Sequence, residues 1–143
     1  MRPLLIGVGN DFAGDDGAGR LVARGLAGCG GLDVVECHGA AADLVTYMEG
    51  RGEVIIVDAC VSGAAAGQVQ RIDGLGGGLP PWLRSVSSHG IGVAEAVQLA
   101  GILGSLPDRL EIIAIEGTAF AVGDAMTPAV AAAVDALVAE LRA

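Results

Sequence analysis

Blocks of apolar residues alternate with amphipathic segments along the chain, and this pattern predicts strands separated by helices. The clearest block, Val54-Ile55-Ile56-Val57, is apolar at every position, as expected for a strand covered on both faces of a parallel sheet. Gly67–Ile72 is more polar, which favours a place at the edge of the sheet. The predicted strands are Leu4–Gly9, Leu32–Cys37, Val54–Ala59, Gly67–Ile72 and Leu110–Glu116.

Helical spacing, with apolar residues three or four positions apart, fills the intervening segments. Thr127 and Pro128 are typical of the cap and first turn of a helix. The predicted inward positions are Ala18, Leu21, Val22 and Leu26 in the first helix, Val93, Ala96, Val97 and Ala100 in the third, and Val130, Val134, Leu137, Val138 and Leu141 in the last. A short second helix is predicted over Ala42–Met48. Alternating strands and helices indicate one α/β domain, residues 1–143, with a three-layer, mostly parallel sheet of about five strands flanked by helices.

Residues 74–91 show neither the strand pattern nor the helical spacing, and they are predicted to form a long, mobile loop of the kind that is often functional. The segment contains Gly76-Gly77-Gly78, Pro80-Pro81 and Trp82. The indole of Trp82 offers apolar area either for packing against the domain or for contact with a bound molecule.

Composition narrows the classes of function. The chain has 143 residues, a formal net charge of −9 and no lysine, which argues against binding to nucleic acid or to an anionic membrane. The apolar run after Met1-Arg2 ends by Asn10, too early for a signal peptide, and no segment reaches membrane-spanning length. The three cysteines show no C-x-x-C spacing, which favours reduced thiols. We therefore expect a cytoplasmic protein.

The segment 9–17, GNDFAGDDG, lies at a strand–turn–helix corner where nucleotide-binding proteins hold phosphate. It has Phe12 where a dinucleotide fingerprint needs its third glycine. It has Asp15 and Asp16 where a phosphate loop needs Lys and Ser or Thr. A calcium loop fails as well, because Val22 occupies its final glutamate position.

Helix capping is the structural interpretation of these acids, since an aspartate at a helix start contributes about 1 kcal/mol. Capping accounts for Asp15 or Asp16 but leaves the other unexplained. Together with Asp11, the two acids suggest a site for a cation.

Possible partners for such a site follow from the topology, because sites in parallel α/β sheets gather at the carboxyl ends of the strands. Asp58 directly follows Val54–Val57, where it either accepts bonds from loop N–H groups or serves the site. His89, one of only two histidines, precedes a predicted helix. Asp16, Asp58 and His89 form an oxygen–oxygen–nitrogen set that suits zinc or nickel and leaves coordination positions open.

A series of short motifs also occurs in order along the chain. They are Gly7-Val8-Gly9-Asn10 with Asp15-Asp16-Gly17 and Gly19, Ile55-Ile56-Val57-Asp58-Ala59, Ser87-x-His89, Ile115, and Met126-Thr127-Pro128-x-Val130. Together they resemble the signature of the nickel–iron hydrogenase maturation proteases, over residues 1 to about 142. Two departures are His38-Gly39-Ala40, where the family usually has an acidic residue, Gly and Thr, and Gly117, where relatives often have Pro.

The resemblance implies a phosphorylase-like fold and an endopeptidase that removes the C-terminal extension of a hydrogenase large-subunit precursor after nickel insertion. The family's metal-binding residues carry over onto Asp16, Asp58 and His89. The metal would be nickel borne by the substrate, or another divalent ion such as zinc. Either Asp16 or Asp58 activates the attacking water, or a metal-bound water of lowered pKa attacks.

Three other functions remain open at this point. A thiol hydrolase would use Cys60 with His89 or His38. A peptidase of the same fold, of the germination-protease type, would have another substrate. A non-catalytic chaperone would deliver nickel, although the chain lacks the His-rich tract or clustered thiolates that metal carriers often use.

Overall fold

The computed structural model describes residues 1–83 and 92–143. Within these residues the chain forms five strands and four α-helices, which alternate except for two successive strands in the middle of the chain. In chain order they are β1 (Leu4–Val8), α1 (Ala18–Leu26), β2 (Asp33–Cys37), α2 (Ala41–Met48), β3 (Glu53–Cys60), β4 (Val69–Asp73), α3 (Val93–Leu103), β5 (Arg109–Glu116) and α4 (Pro128–Arg142). Two 3-10 turns, Gly14–Gly17 and Pro81–Leu83, lie before α1 and after β4.

The five strands form one sheet in the order β2-β1-β3-β5-β4. Four strands are parallel, and β4 runs antiparallel to β5 at the edge. This confirms the predicted mostly parallel sheet and the edge position of its most polar strand. β1 pairs with β3 from Leu4↔Val54 to Gly7↔Val57, and β3 then continues beyond the end of β1 in contact with β5.

Each face of the sheet is covered by a pair of helices, so the fold has three layers. On one face α2 and α3 pack over the strand residues Leu4, Ile6, Val54 and Ile56. On the other, α1 and α4 pack over Leu5, Val57, Ile113 and Ile115. Alternate residues of each strand therefore enter different cores, as expected for a doubly covered sheet.

The inward faces of the helices follow the predicted stripes with one exception. Val93, Ala96, Val97 and Ala100 in α3 are buried, as are Val130, Val134 and Leu137 in α4. Leu21 in α1 is exposed, so its predicted burial was wrong. The helix instead turns Gly19 and Ala23 towards the sheet, and a Cβ at Gly19 would lie 2.2 Å from the carbonyl oxygen of Val57.

The segment after β4 packs on the domain as far as the structure describes it. Leu83 is buried in the α2–α3 core, and Trp82 is partly buried against the same core. This favours the packing interpretation of Trp82. In the described part of the chain, none of the helices has the length and apolar character needed to cross a membrane.

Candidate active site

The candidate site lies where the connections from the central strands diverge. From β1 the chain moves to β2 on one side, whereas β3 lies on the other side of β1. The carboxyl ends of such diverging strands form a crevice that commonly binds ligands in α/β sheets. Asp16 lies in the turn that follows β1, and Asp58 lies in β3 just beyond Val57, the last residue paired with β1. The structure thus brings these two predicted site residues to one crevice.

The position of Asp16 depends on a backbone conformation that only glycine adopts readily. Gly9 has φ of +151°, and a Cβ there would lie 1.8 Å from the carbonyl oxygen of Asp16. The turn therefore folds back directly over the end of β1. There the backbone N–H of Asn10 donates to Oδ2 of Asp16 at 3.0 Å, which orients the carboxylate.

Asp16 and Asp58 influence each other electrostatically. Burial raises the pKa of Asp58 well above its ordinary value, the nearby Asp16 carboxylate raises it further, and the Ala59 N–H bond to Oδ1 at 2.8 Å opposes this. Burial also raises the pKa of Asp16, against the effect of the Asn10 hydrogen bond. Two poorly solvated carboxylates at close range are stabilised by a shared proton or by a cation. The pair is therefore a suitable place for a divalent metal ion or for general acid–base chemistry.

Asp15 has a different role from its neighbour. It is fully buried, and its carboxylate accepts four hydrogen bonds from the segment between β5 and α4. They come from the N–H groups of Thr118 at 2.8 Å, Ala119 at 2.9 Å and Thr127 at 2.7 Å, and from the Thr127 hydroxyl at 2.7 Å. Burial raises the pKa of Asp15, but these bonds lower it by more, so the net shift is downward.

The capping interpretation of the acidic turn was therefore wrong. In the described part of the chain, neither the 3-10 turn nor α1 has a side-chain cap, and Asp15 and Asp16 both bond elsewhere. Thr127 does occupy the N-cap position of α4, but its hydroxyl donates to Asp15 rather than capping the helix.

Asp11 was expected to contribute to a cation site, but the structure pairs it with arginines. Its carboxylate binds the guanidinium groups of Arg24 and Arg20, which also contact Glu36. Arg20 lies 3.2 Å from Nδ1 of the exposed His38. The negative charge of Asp11 is thus balanced by the protein itself.

Glu116 was not recognised from the sequence. It is 2% exposed at the end of β5, and it accepts bonds from the N–H of Ser62 at 2.9 Å and of Gly63 at 3.3 Å. The thiol of Cys60 lies 3.6 Å from the same carboxylate. Burial, and next the charge of Glu116, raise the pKa of Cys60 to about 12. Cys60 is therefore a protonated thiol near neutral pH, which argues against the thiol hydrolase.

The third predicted ligand, His89, lies outside the described residues. Among residues 1–83 and 92–143, no three His, Cys, Asp or Glu side chains come together as a metal-binding group. The complete trio therefore stays a prediction, with Asp16 and Asp58 as the part that the described residues contain.

Several solved structures that share this fold are hydrogenase maturation endopeptidases. HybD from Escherichia coli matches with a TM-score of 0.79 and 22% identity, over 99% of this chain and 90% of that one. HycI from Escherichia coli matches with a TM-score of 0.76 and 23% identity, over 99% of this chain and 90% of that one. HycI from Thermococcus kodakarensis KOD1 matches with a TM-score of 0.74 and 20% identity, over 99% of this chain and 90% of that one. The fold is accordingly that of this class of α/β peptidases.

Sequence comparison identifies the family. The family model described as hydrogenase maturation protease matches residues 26–143, and so the chain belongs to the hydrogenase maturation protease family. This confirms the resemblance found in the sequence and the assignment as a peptidase. The matched range contains Asp58 and His89 and begins after Asp16. Among individual proteins of curated function, none matches the chain significantly in sequence.

Proposed function

We propose that this chain removes the C-terminal extension of a nickel–iron hydrogenase large-subunit precursor, and that Asp16, Asp58 and His89 contact the nickel which the precursor carries. Membership of the maturation protease family supports the reaction and the class of substrate. The observation that carries the choice of site is the Asp16–Asp58 carboxylate pair in the crevice between β1 and β3.

The two carboxylates suit a metal that arrives with the substrate. Without a cation, each is held in a partly buried place where its charged form is disfavoured. A nickel ion, or zinc at the same place, would neutralise the pair and could be coordinated by its oxygens. Recognition of the loaded precursor would then depend on completing an incomplete ligand set, so precursor without nickel would bind poorly.

His89 fits this proposal through its place in the chain. It lies shortly before α3, and α3 packs on the sheet face that includes Val54, Ile56 and Cys60 of β3. Strand alternation places Asp58 on that same face. An imidazole arriving from this side would add the nitrogen ligand that a borderline metal favours.

Hydrolysis of the peptide bond then has two routes from the same residues. In one, Asp16 or Asp58 accepts a proton from a water molecule as it attacks the scissile carbonyl. In the other, nickel held by Asp16 and Asp58 would supply a water of lowered pKa as the nucleophile. In both routes Asp58 contributes as the base or as a ligand of nickel, and its Oδ1 is oriented by the Ala59 N–H.

The proposal is tested by incubating the large-subunit precursor, with and without nickel, with the protein and measuring its mass. We expect a shortened product only from nickel-loaded precursor, and none with Asp58→Asn or His89→Ala. Asp135→Asn is the matched control, because Asp135 is an exposed acid on α4. Normal cleavage by His89→Ala would refute the nickel contact, and binding without cleavage by the unmodified chain would favour the chaperone alternative.

A further inference from the structure

Two strongly exposed apolar side chains lie on the loops around the carboxylate pair. Phe12, in the loop that leads from β1 to Asp16, is 76% exposed. Val122, in the segment between β5 and α4, is 80% exposed. The two loops meet at their tips, where the N–H of Gly123 donates to the carbonyl oxygen of Phe12 at 2.8 Å. Phe12 and Val122 therefore belong to one small surface, which we call the Phe12–Val122 ridge.

The backbone beneath this ridge is firmly connected. The N–H of Asp15 donates to the carbonyl oxygen of Ala119 at 2.7 Å, and the Asp15 carboxylate binds the same segment from below. A Cβ at Gly14 would lie 2.4 Å from that Ala119 oxygen, so the loops are in direct backbone contact. The exposure of the two apolar side chains is consequently a property of a braced structure rather than of a loose loop.

Single apolar residues on a surface need no functional explanation. The ridge differs because two of them share one braced surface that is continuous with the turn holding Asp16. An aromatic and an aliphatic anchor next to a reaction site are typical of the apolar centre of a protein–protein contact. The surroundings are acidic, since Asp124 lies on the same loop as Val122 and the chain has a formal net charge of −9, which disfavours an anionic lipid surface as the occupant.

We propose that the Phe12–Val122 ridge binds an apolar patch on the folded body of the substrate protein, beside the tail that is cut. This inference rests on the proposed function and adds a second point of contact. The carboxylate pair recognises the metal, whereas the ridge recognises the protein that carries it. Because the ridge does not touch the reacting atoms, it contributes to binding of the precursor and not to the rate of bond cleavage.

The test compares Phe12→Ser/Val122→Ser with the unmodified protein on nickel-loaded precursor. We expect KM to rise about tenfold or more, as for loss of an interface anchor, while kcat and the melting temperature stay close to those of the unmodified protein. Ile102→Ser is the matched control, because Ile102 is 81% exposed near the end of α3, which leads to the start of β5 and so to the end of the strands away from Asp58. Its KM should not change.

The outcomes separate the ridge from the function on which it rests. If the unmodified protein cleaves the precursor and the double variant has the same KM, the ridge is refuted and the protease function stands. If the unmodified protein neither binds nor cleaves the precursor, both proposals fail. Size-exclusion chromatography adds one further result: a dimer that becomes monomeric only in the double variant would assign the ridge to self-association and overturn our proposal.

Discussion

Replacing Asp15 with asparagine tests whether this buried carboxylate, rather than a helix cap, holds the turn that carries Asp16 in place. Asparagine keeps the size of the side chain but has one acceptor oxygen. In the native chain, Oδ2 accepts from the N–H groups of Thr118 and Ala119 and from the Thr127 hydroxyl, whereas Oδ1 accepts from the Thr127 N–H. With the amide oxygen at the Oδ2 position, the new NH2 group would face the Thr127 N–H, and two donors would oppose each other.

The expected change in the free energy of unfolding follows from these contacts. A buried N–H without an acceptor costs about 1–3 kcal/mol, and three bonds to a charged acceptor become weaker bonds to a neutral one. Because all four bonds share one side chain, their losses do not simply add. We therefore expect the free energy of unfolding to fall by about 3 kcal/mol, a large part of the ~5–15 kcal/mol typical of a domain.

Urea denaturation of Asp15→Asn provides the measurement, with Asp135→Asn as a surface control. Cleavage by the surviving folded protein should fall as well, because the turn that carries Asp16 loses its attachment to the segment before α4. A free energy of unfolding within about 0.5 kcal/mol of the unmodified value, the range of ordinary surface substitutions, would refute the structural role of Asp15.

Two further substitutions test the buried Glu116–Cys60 pair. Glu116→Gln should lower the free energy of unfolding at pH 7 by about 1–3 kcal/mol. The hydrogen bonds from Ser62 and Gly63 outweigh the effect of burial and keep the pKa of Glu116 below its ordinary 4.5. The stabilisation by the charged Glu116 is thus complete above pH 4.5 and is lost as the pH falls through the folded pKa. The free energies of unfolding of Glu116→Gln and of the unmodified protein should therefore converge in acid. A difference in the free energy of unfolding that is constant with pH would contradict this. Cys60→Ala should leave cleavage by the folded protein unchanged, since the pKa of about 12 keeps the thiol protonated, and loss of cleavage with a native melting temperature would restore the thiol mechanism.

The layered fold was predictable because its signals are local. Val54–Val57 is apolar throughout, which is typical of a strand covered on both faces. The polarity of the β4 segment favours a place at an edge of the sheet. The spacing of Val93, Ala96 and Val97 similarly defines the inward face of α3. Asp58 was predicted to be a site residue by the same reasoning, since a carboxylate directly after a buried strand requires a partner, and this role stays a prediction.

The roles of the other acids were not predictable, because their partners are distant in the sequence. Asp15 and Thr118 are separated by 103 positions, and Ser62 and Glu116 by 54. Nothing within the GDDG turn distinguishes the aspartate that binds a far segment from the one that faces the crevice. Asp11 likewise depends on arginines of the following helix that the chain brings back towards it. The sequence thus indicated the acidic turn and Asp16 as its candidate ligand, but it did not predict the partners of Asp15 and Asp11.

The long sequence separation between Asp15 and its partners also bears on the order in which the molecule is completed during synthesis. The turn that carries Asp16 leaves the ribosome well before Thr118 and Thr127, which lie 103 and 112 positions after Asp15. Closing a loop of this length is one of the entropically costly steps of folding. A chain that stops before Thr118 therefore lacks the attachment of the turn that carries Asp16, and we expect it to be unable to cleave the precursor.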